Sequence, residues 1–303
     1  MGDVGEARTR KLDHAPAGVA EARINPKNAN RLGHMPSVSV FRVNKILQVS
    51  LFVPRTILNI HEGVIMNDSG WEGSAGAWIG HLGPNGDRAR RYVLDPAMQI
   101  RLQGREFRNA LDVGCGEGRI CRMLAAYSIQ ATGIDPTEAL ITHAKELDKT
   151  SDYRIGRAEA LPFEDATFDL VISCLSLIDI ADYRVAIGEM TRILEPGGTL
   201  LVVNLTSFMS AGGGNGWRRD TRGRKSHFGM DEYMHERAYW IEFSGLRIEN
   251  WHRPLSDYMS AYLGNGLHLT HFDEPRPINA PAEFERHYLR APFFNLMEWR
   301  KPA

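Results

Sequence analysis

The stretch Leu111-Asp112-Val113-Gly114-Cys115-Gly116-Glu117-Gly118-Arg119 constrains this chain more than any other. Apolar, strand-like residues run into three glycines at alternate positions, and a helical hydrophobic pattern begins directly after them. Glycines at such a turn allow left-handed backbone and close approach to a ligand, beside the N-terminal amides of the helix that follows. Seventeen residues past Gly118 stands Asp135, at the end of the next strand-like run, where a carboxylate can accept from both hydroxyls of a ribose. The combination points to an adenosine-containing ligand. A dinucleotide-binding G-x-G-x-x-G turn would need glycine at position 119, where Arg119 stands instead.

A regular alternation continues from this turn. The patterning predicts strands over 110–113, 131–134, 153–155, 168–173 and 199–205, with helices over 119–127, 137–147 and 183–194 between them. The Leu, Val and Ile runs of the later strands suit burial on both faces. The last of these helices stops at Pro196-Gly197-Gly198. Further on, 239–243 and 246–251 suggest an inserted hairpin, 254–263 a helix, and 267–272 and 293–300 two more strands. The expected fold class is α/β: a Rossmann-like, doubly wound, seven-stranded, mostly parallel sheet with helices on both faces, N-terminal cap helices and an insertion after the fifth strand. Segment 211–216 is nearly all small residues, and 217–225 adds five basic residues to one acid, so a mobile loop is expected there.

Residues 1–65 differ in character from the remainder. They carry nine Lys and Arg against five Asp and Glu, within a chain whose formal net charge is −1. The first thirty-six lack any sustained period, which predicts a flexible extension, with 38–60 able to dock as strand or helix. The rest reads as one domain over 66–303: a cap at 66–108, a ligand-binding core at 109–205, an insertion or lid at 206–253 and the end of the sheet at 254–303. A balanced charge offers no global field for polyanions or membranes. Polar residues interrupt the most apolar early stretch too often for a membrane span. Three cysteines without C-x-x-C spacing argue against a disulfide framework or structural zinc and fit a reducing, cytoplasmic setting.

Four motifs in order, LDVGCGEGR, the acid of GIDP, AEALPF followed by FDLVISCLSL, and LEPGG, together resemble the class I S-adenosylmethionine-dependent methyltransferases. The likeness is strongest to the small-molecule branch related to ubiquinone and menaquinone methyltransferases, and it covers roughly residues 111–205. It implies that S-adenosyl-L-methionine is the cofactor and that Gly114, Cys115, Gly116 and Gly118 lie along its methionine and ribose. Asp112 would orient that loop or reach the ammonium, and Asp135 with Pro136 would take the ribose. Ala158 and Glu159 would edge the adenine, with Glu159 replacing the acid that many relatives carry where this chain has Arg157. Cys174 and Leu175 would stand near the sulfonium.

The resemblance implies metal-independent, in-line transfer to an O, N or C atom of a small-molecule acceptor, because the donor is already activated and alignment supplies much of the rate. No metal ligand set is read from the sequence. A base is needed only for a protonated acceptor. His252 is the first candidate, with a helix cap or a structural hydrogen bond as its other reading. Among Trp71, Trp78, Tyr92, Trp217, Tyr233, Trp240 and Tyr258, any of which suits an apolar pocket or the core, Tyr92 is expected to face the acceptor. Arg218, Arg219, Arg222, Arg224 and Lys225 suit either an anionic ligand or a solvated loop. Without a recognisable nucleic-acid motif, a small-molecule acceptor ranks ahead of RNA or protein, and a catalytically silent cofactor-binding module is the alternative from another class.

Overall fold

The computed structural model describes residues 39–43, 46–50, 69–213 and 216–303, and the chain divides into units over 1–65 and 66–303. In the first unit, β1 (Ser39–Val43) and β2 (Ile46–Ser50) form an antiparallel hairpin in which Val43 pairs with Ile46. The remainder of the expected extension, and of segment 38–60, lies outside the described residues.

The second unit begins with α1 (Trp71–Leu82), a π-helical turn over Arg90–Leu94 and α2 (Asp95–Leu102). Then β3 (Asn109–Val113), α3 (Arg119–Ala125), β4 (Gln130–Asp135), α4 (Glu138–Leu147) and β5 (Asp152–Ile155) alternate. They are followed by β6 (Phe168–Cys174), α5 (Tyr183–Ile193) and β7 (Leu194–Leu205). Next come α6 (Ser207–Ala211) and two hairpins: β8 (Trp217–Arg219) with β9 (Lys225–Phe228), and β10 (Arg237–Phe243) with β11 (Leu246–His252). The chain closes with α7 (Leu255–Gly264), β12 (His268–Asp273), α8 (Ala282–Tyr288) and β13 (Phe294–Arg300).

Seven strands form one sheet in the order β12-β13-β7-β6-β3-β4-β5, with β13 antiparallel to both its neighbours and the other pairs parallel. The doubly wound sheet inferred from the sequence is therefore the observed one. Strand β3 pairs with β4 on one side and β6 on the other, so the winding reverses at β3 and opens a crevice beyond the carboxyl ends of β3 and β6. Both faces of the sheet are covered. Ala110, Leu170, Ile172, Leu201 and Val203 pack into one core cluster with Val93, Met98 and Leu124. Leu111, Val113, Val171, Leu200 and Val202 pack into the other with Ile187, Met190 and Tyr262. That alternation within continuous apolar runs is why these strands show no simple period of two.

The segment after β7 corrects an expectation. Where a mobile loop is expected it holds the end of α6, capped by Thr206 accepting from the Met209 amide at 3.2 Å, and the β8–β9 hairpin, while positions 214 and 215 lie outside the described residues. Glycine there serves close packing: a Cβ on Gly212 would come within 2.5 Å of the Phe228 ring, and one on Gly216 within 2.3 Å. Phe228 in turn meets Trp217 edge to face at 5.4 Å. Gly216→Ala is thus expected to destabilise the protein by about 1–3 kcal/mol through overpacking. Thermal unfolding checks this, and an unchanged midpoint contradicts the packing.

Candidate active site

The glycine turn after β3 has all three of its glycines in the left-handed region, at φ 75° for Gly114, 53° for Gly116 and 79° for Gly118. Their surroundings differ. A Cβ on Gly114 would lie 2.3 Å from the Cβ of Ser176, and one on Gly118 would lie 2.4 Å from the Tyr153 hydroxyl, whereas no atom stands within 4 Å of that position at Gly116. Two glycines therefore let β5 and the segment after β6 press on the turn, and Gly116 leaves open space above it. The Gly114 and Cys115 amides both donate to the Ile134 carbonyl, at 2.8 and 3.0 Å, which ties the turn to the end of β4.

Asp135 stitches the next two pieces together. It accepts from the Gly116 amide at 3.0 Å and from the Thr137 amide at 2.9 Å, joining the turn to the start of α4. Burial raises its pKa, and these two amides oppose the rise. Asp112, one residue before the end of β3, has no such partners. Its side chain is 1 % exposed and both carboxylate oxygens lack a hydrogen-bond partner. Burial pushes this carboxyl well above its ordinary range, and the nearby Glu117 and Asp135 push it further.

Asp112, Gly114, Cys115, Gly116, Asp135, Pro136, Ala158, Glu159, Cys174 and Leu175, all singled out in the sequence, line one cavity at the crevice. The cavity spans about 1230 Å³ with its open mouth included. Glu159 holds Arg157 in an ion pair at 2.8 Å, and both edge the cavity. Leu175 has φ 59°, a strained conformation for a bulky residue, with its amide donating to the Val203 carbonyl at 2.8 Å. Ser176 secures this segment by donating to the Val113 carbonyl at 2.7 Å. Burial raises the Cys174 thiol to about 12, against the lowering influence of the Arg90 charge. Among the described residues, no three His, Cys, Asp or Glu side chains form a group that could hold a metal ion.

Three expected residues lie elsewhere. Gly118 starts α3 and packs on Tyr153 rather than lining the cavity. Tyr92 is two residues from Arg90, which puts it on the opposite side of the π-helical turn: Arg90 and Leu94 line the cavity while Tyr92 packs on Phe284 at 5.6 Å. His252 is fully buried outside the cavity. Its Nε2 donates to the Tyr233 carbonyl at 2.8 Å, so its Nδ1 is left to accept from the Ser210 hydroxyl at 2.7 Å. Burial lowers its pKa. The expectation of His252 as a base is corrected to its alternative reading, a neutral structural histidine.

Of the residues that roof the cavity, the sequence had marked Trp71 and Trp78 as aromatics that suit a pocket, but not Asp179, Arg90 or Asn250. Trp71 of α1 donates to Asp179 at 3.1 Å, and Asn250 of β11 donates to the other oxygen of the same carboxylate. The Glu249 amide donates to the Ser69 carbonyl at 2.9 Å, and the Trp251 amide to that of Ile178 at 2.7 Å. Cap, inserted hairpin and the segment after β6 thus meet at Asp179, whose pKa burial raises well above normal. Trp71 and Trp78 pack edge to face at 5.4 Å and both line the cavity, with the Arg90 guanidinium 4.7 Å over Trp78. Behind them Arg253, wholly buried, donates to the carbonyls of Leu177, Ile180 and Ala181 at 3.0, 2.7 and 2.9 Å and to Glu236 at 2.7 Å. Arg119 ties the floor to the cap, with its Nε 3.1 Å from Asp95.

Known proteins resemble the chain in sequence and in fold. Residues 111–202 match the family described as a methyltransferase domain. Over 185 residues the chain is 29% identical to a malonyl-[acyl-carrier protein] O-methyltransferase of Enterobacter lignolyticus, covering 59% of this chain and 72% of that one. Over 124 residues it is 32% identical to a ubiquinone biosynthesis O-methyltransferase of Rhizobium leguminosarum, covering 40% of this chain and 48% of its relative. The crystal structure of an S-adenosylmethionine dependent methyltransferase from Mesorhizobium loti matches with a TM-score of 0.61 at 24% identity, covering 70% of this chain and 98% of that one. This last likeness is one of fold.

The glycine geometry separates two variants. Gly116→Ala meets no atom and should cost only the left-handed strain of about 1–2 kcal/mol. Gly114→Ala adds the overlap with Ser176 and should lose about 1–3 kcal/mol more. Denaturant titrations of the two proteins test the ranking, and equal stabilities contradict it.

Proposed function

The chain is a class I S-adenosylmethionine-dependent methyltransferase, and from that premise we propose a residue-level assignment of its cofactor seat and an oxygen atom of a small phenol or carboxylic acid as its methyl acceptor. The observation that carries the assignment is Asp112. A buried carboxylate without a partner is costly, and an ammonium group is the partner that removes the cost. S-adenosyl-L-methionine carries such a group. Asp112 binds the ammonium, Gly116 gives the amino-acid portion room, and Asp135 accepts from the ribose hydroxyls while its amide bonds hold its orientation. Ala158 and Glu159 border the adenine, and Cys174 with Leu175 faces the reacting end.

When bound, the cofactor supplies a methyl group already activated on a sulfonium. The protein's work is then alignment and exclusion of water. Trp71 and Trp78 cover the acceptor end with apolar surface, and the bonds converging on Asp179 close the cap against the inserted hairpin. Oxygen is chosen as the accepting atom because both curated relatives described above are O-methyltransferases. If the acceptor arrives as a hydroxyl, Asp179, which lines the cavity beneath Trp71, is the carboxylate on the acceptor side to receive its proton, and burial strengthens it as a base. No helix among the described residues is long and apolar enough to cross a membrane, and the described cysteines are unpaired, which supports a reducing, cytoplasmic setting.

Acceptor screening with detection of S-adenosylhomocysteine tests the function. Turnover of a phenol or carboxylic acid is expected, and cofactor binding without turnover of any acceptor class would favour the silent module. Asp112→Asn supplies the residue-level test. Because the folded carboxyl holds its proton to a higher pH than the unfolded one, its stabilising effect is full below the ordinary carboxylate range and is lost as pH rises through the raised value. At neutral pH the variant should therefore match or exceed the parent's unfolding temperature, yet bind the cofactor at least about tenfold more weakly. Calorimetry and thermal unfolding read the two effects, and unchanged affinity removes Asp112 from the seat.

A further inference from the structure

Away from the cavity, the β8–β9 hairpin, the end of α8 and the turn after it bring two cations and a histidine together on one aromatic ring. The indole of Trp217 lies 5.3 Å from Lys225 Nζ, 4.4 Å from the Arg290 guanidinium and 5.3 Å from the His287 ring. Lys225 Nζ is 3.1 Å from His287 Nε2. Arg290 donates to the Ser226 carbonyl at 2.8 Å, and Arg219, which stands opposite Lys225 across the hairpin, donates to that of Gly223 at 2.7 Å. These bonds orient the guanidinium groups without neutralising them.

Among the described residues, Arg219, Lys225 and Arg290 form no ion pair with any carboxylate. The hairpin's acid, Asp220, is engaged by Arg224 at 2.9 Å and by the Arg222 and Arg224 amides. The resulting repulsion is registered on the cluster itself. Burial, Arg219 and Arg290 push the Lys225 pKa down, while burial, Lys225 and Arg290 do the same to His287. Like charges this close are unfavourable unless an anion joins them. Contact with the Trp217 ring compensates part of the cost.

We propose that Lys225, Arg290 and Arg219, with His287 beside them and Trp217 as the floor, form a binding site for a phosphoryl dianion, separate from the methyl-transfer cavity. Three cationic side chains call for more than the single charge of a carboxylate. A phosphate group brings about −1.5 to −2 charge near neutrality and three acceptor oxygens. Guanidinium groups already oriented by backbone carbonyls present planar donors to it, and Lys225 adds a mobile one. His287 Nε2 accepts from the Lys225 ammonium and so holds it beside the Trp217 ring.

Calorimetric titration of the full chain at low ionic strength tests the site, with inorganic phosphate, phenyl phosphate and acetate as probes. Saturable one-to-one binding of a phosphate probe, at least about tenfold tighter than acetate, is expected. A preference for phenyl phosphate identifies an organic monoester as the natural source, and a preference for inorganic phosphate identifies the free ion. The double variant Lys225→Gln/Arg290→Gln should bind phosphate about a hundredfold more weakly, at about tenfold per lost charged donor. It should keep its affinity for S-adenosyl-L-methionine, and its unfolding temperature should not fall, because a repulsion has been removed. Absence of saturable phosphate binding, equal affinity for acetate, or unaltered phosphate binding by the double variant would overturn the proposal. Loss of cofactor binding together with intact phosphate binding would count against the methyltransferase seat alone.

Discussion

A carboxylate kept from water without a partner is the constraint around which this structure is arranged. Asp112 ends up there because β3 is the strand at which the sheet reverses its winding, so the end of that strand looks into the crevice rather than into a covering helix. Its neighbours add to the cost: Glu117 and Asp135 are both near enough to disfavour its charge. A cationic ligand turns that unfavourable site into the most favourable place in the cavity to put a positive charge. The glycine turn, the amide bonds on Asp135 and the brace from Ser176 to the Val113 carbonyl all serve to hold the surrounding backbone while that exchange takes place.

The cavity has two parts of different origin. Its floor comes from the alternating strand and helix core, where backbone bonds between successive elements set the positions of Gly116, Asp135 and Cys174. Its roof comes from α1, the π-helical turn and the inserted β10–β11 hairpin, which meet the core through side chains: Trp71 and Asn250 on Asp179, and Arg253 on the carbonyls of Leu177, Ile180 and Ala181. The family match over residues 111–202 falls on the floor and on Asp179, and leaves out α1, the π-helical turn and the inserted hairpin.

The same division governs what could be read from the sequence. Strands, helices and the glycine turn of the core were legible because their signals are local: a hydrophobic period, a glycine at a helix start, an acid at a strand end. Tyr92 was misplaced because which face of this helical stretch looks into the cavity is set by its partner Phe284, 192 residues away in the chain, and no local signal marks it. Local signals could not decide between a base and a structural histidine at His252, because its partners, Ser210 and the Tyr233 carbonyl, are 42 and 19 residues away in the chain. Gly212 and Gly216 suggested looseness, yet Phe228 needs the room they leave. Asp179 and Arg90 carry no motif at all. Their importance comes from tertiary convergence, and the one trace in the sequence is an acid five residues past the end of β6.

The central claim concerns one contact, between the Asp112 carboxylate and the ammonium of the bound cofactor. Its most direct test is a binding cycle that pairs S-adenosylhomocysteine and its desamino analogue with the parent protein and the Asp112→Asn variant. The account predicts that loss of the amino group weakens binding to the parent at least about tenfold and has little effect on the variant, leaving a large coupling energy. Equal affinity of the parent for both compounds would contradict it.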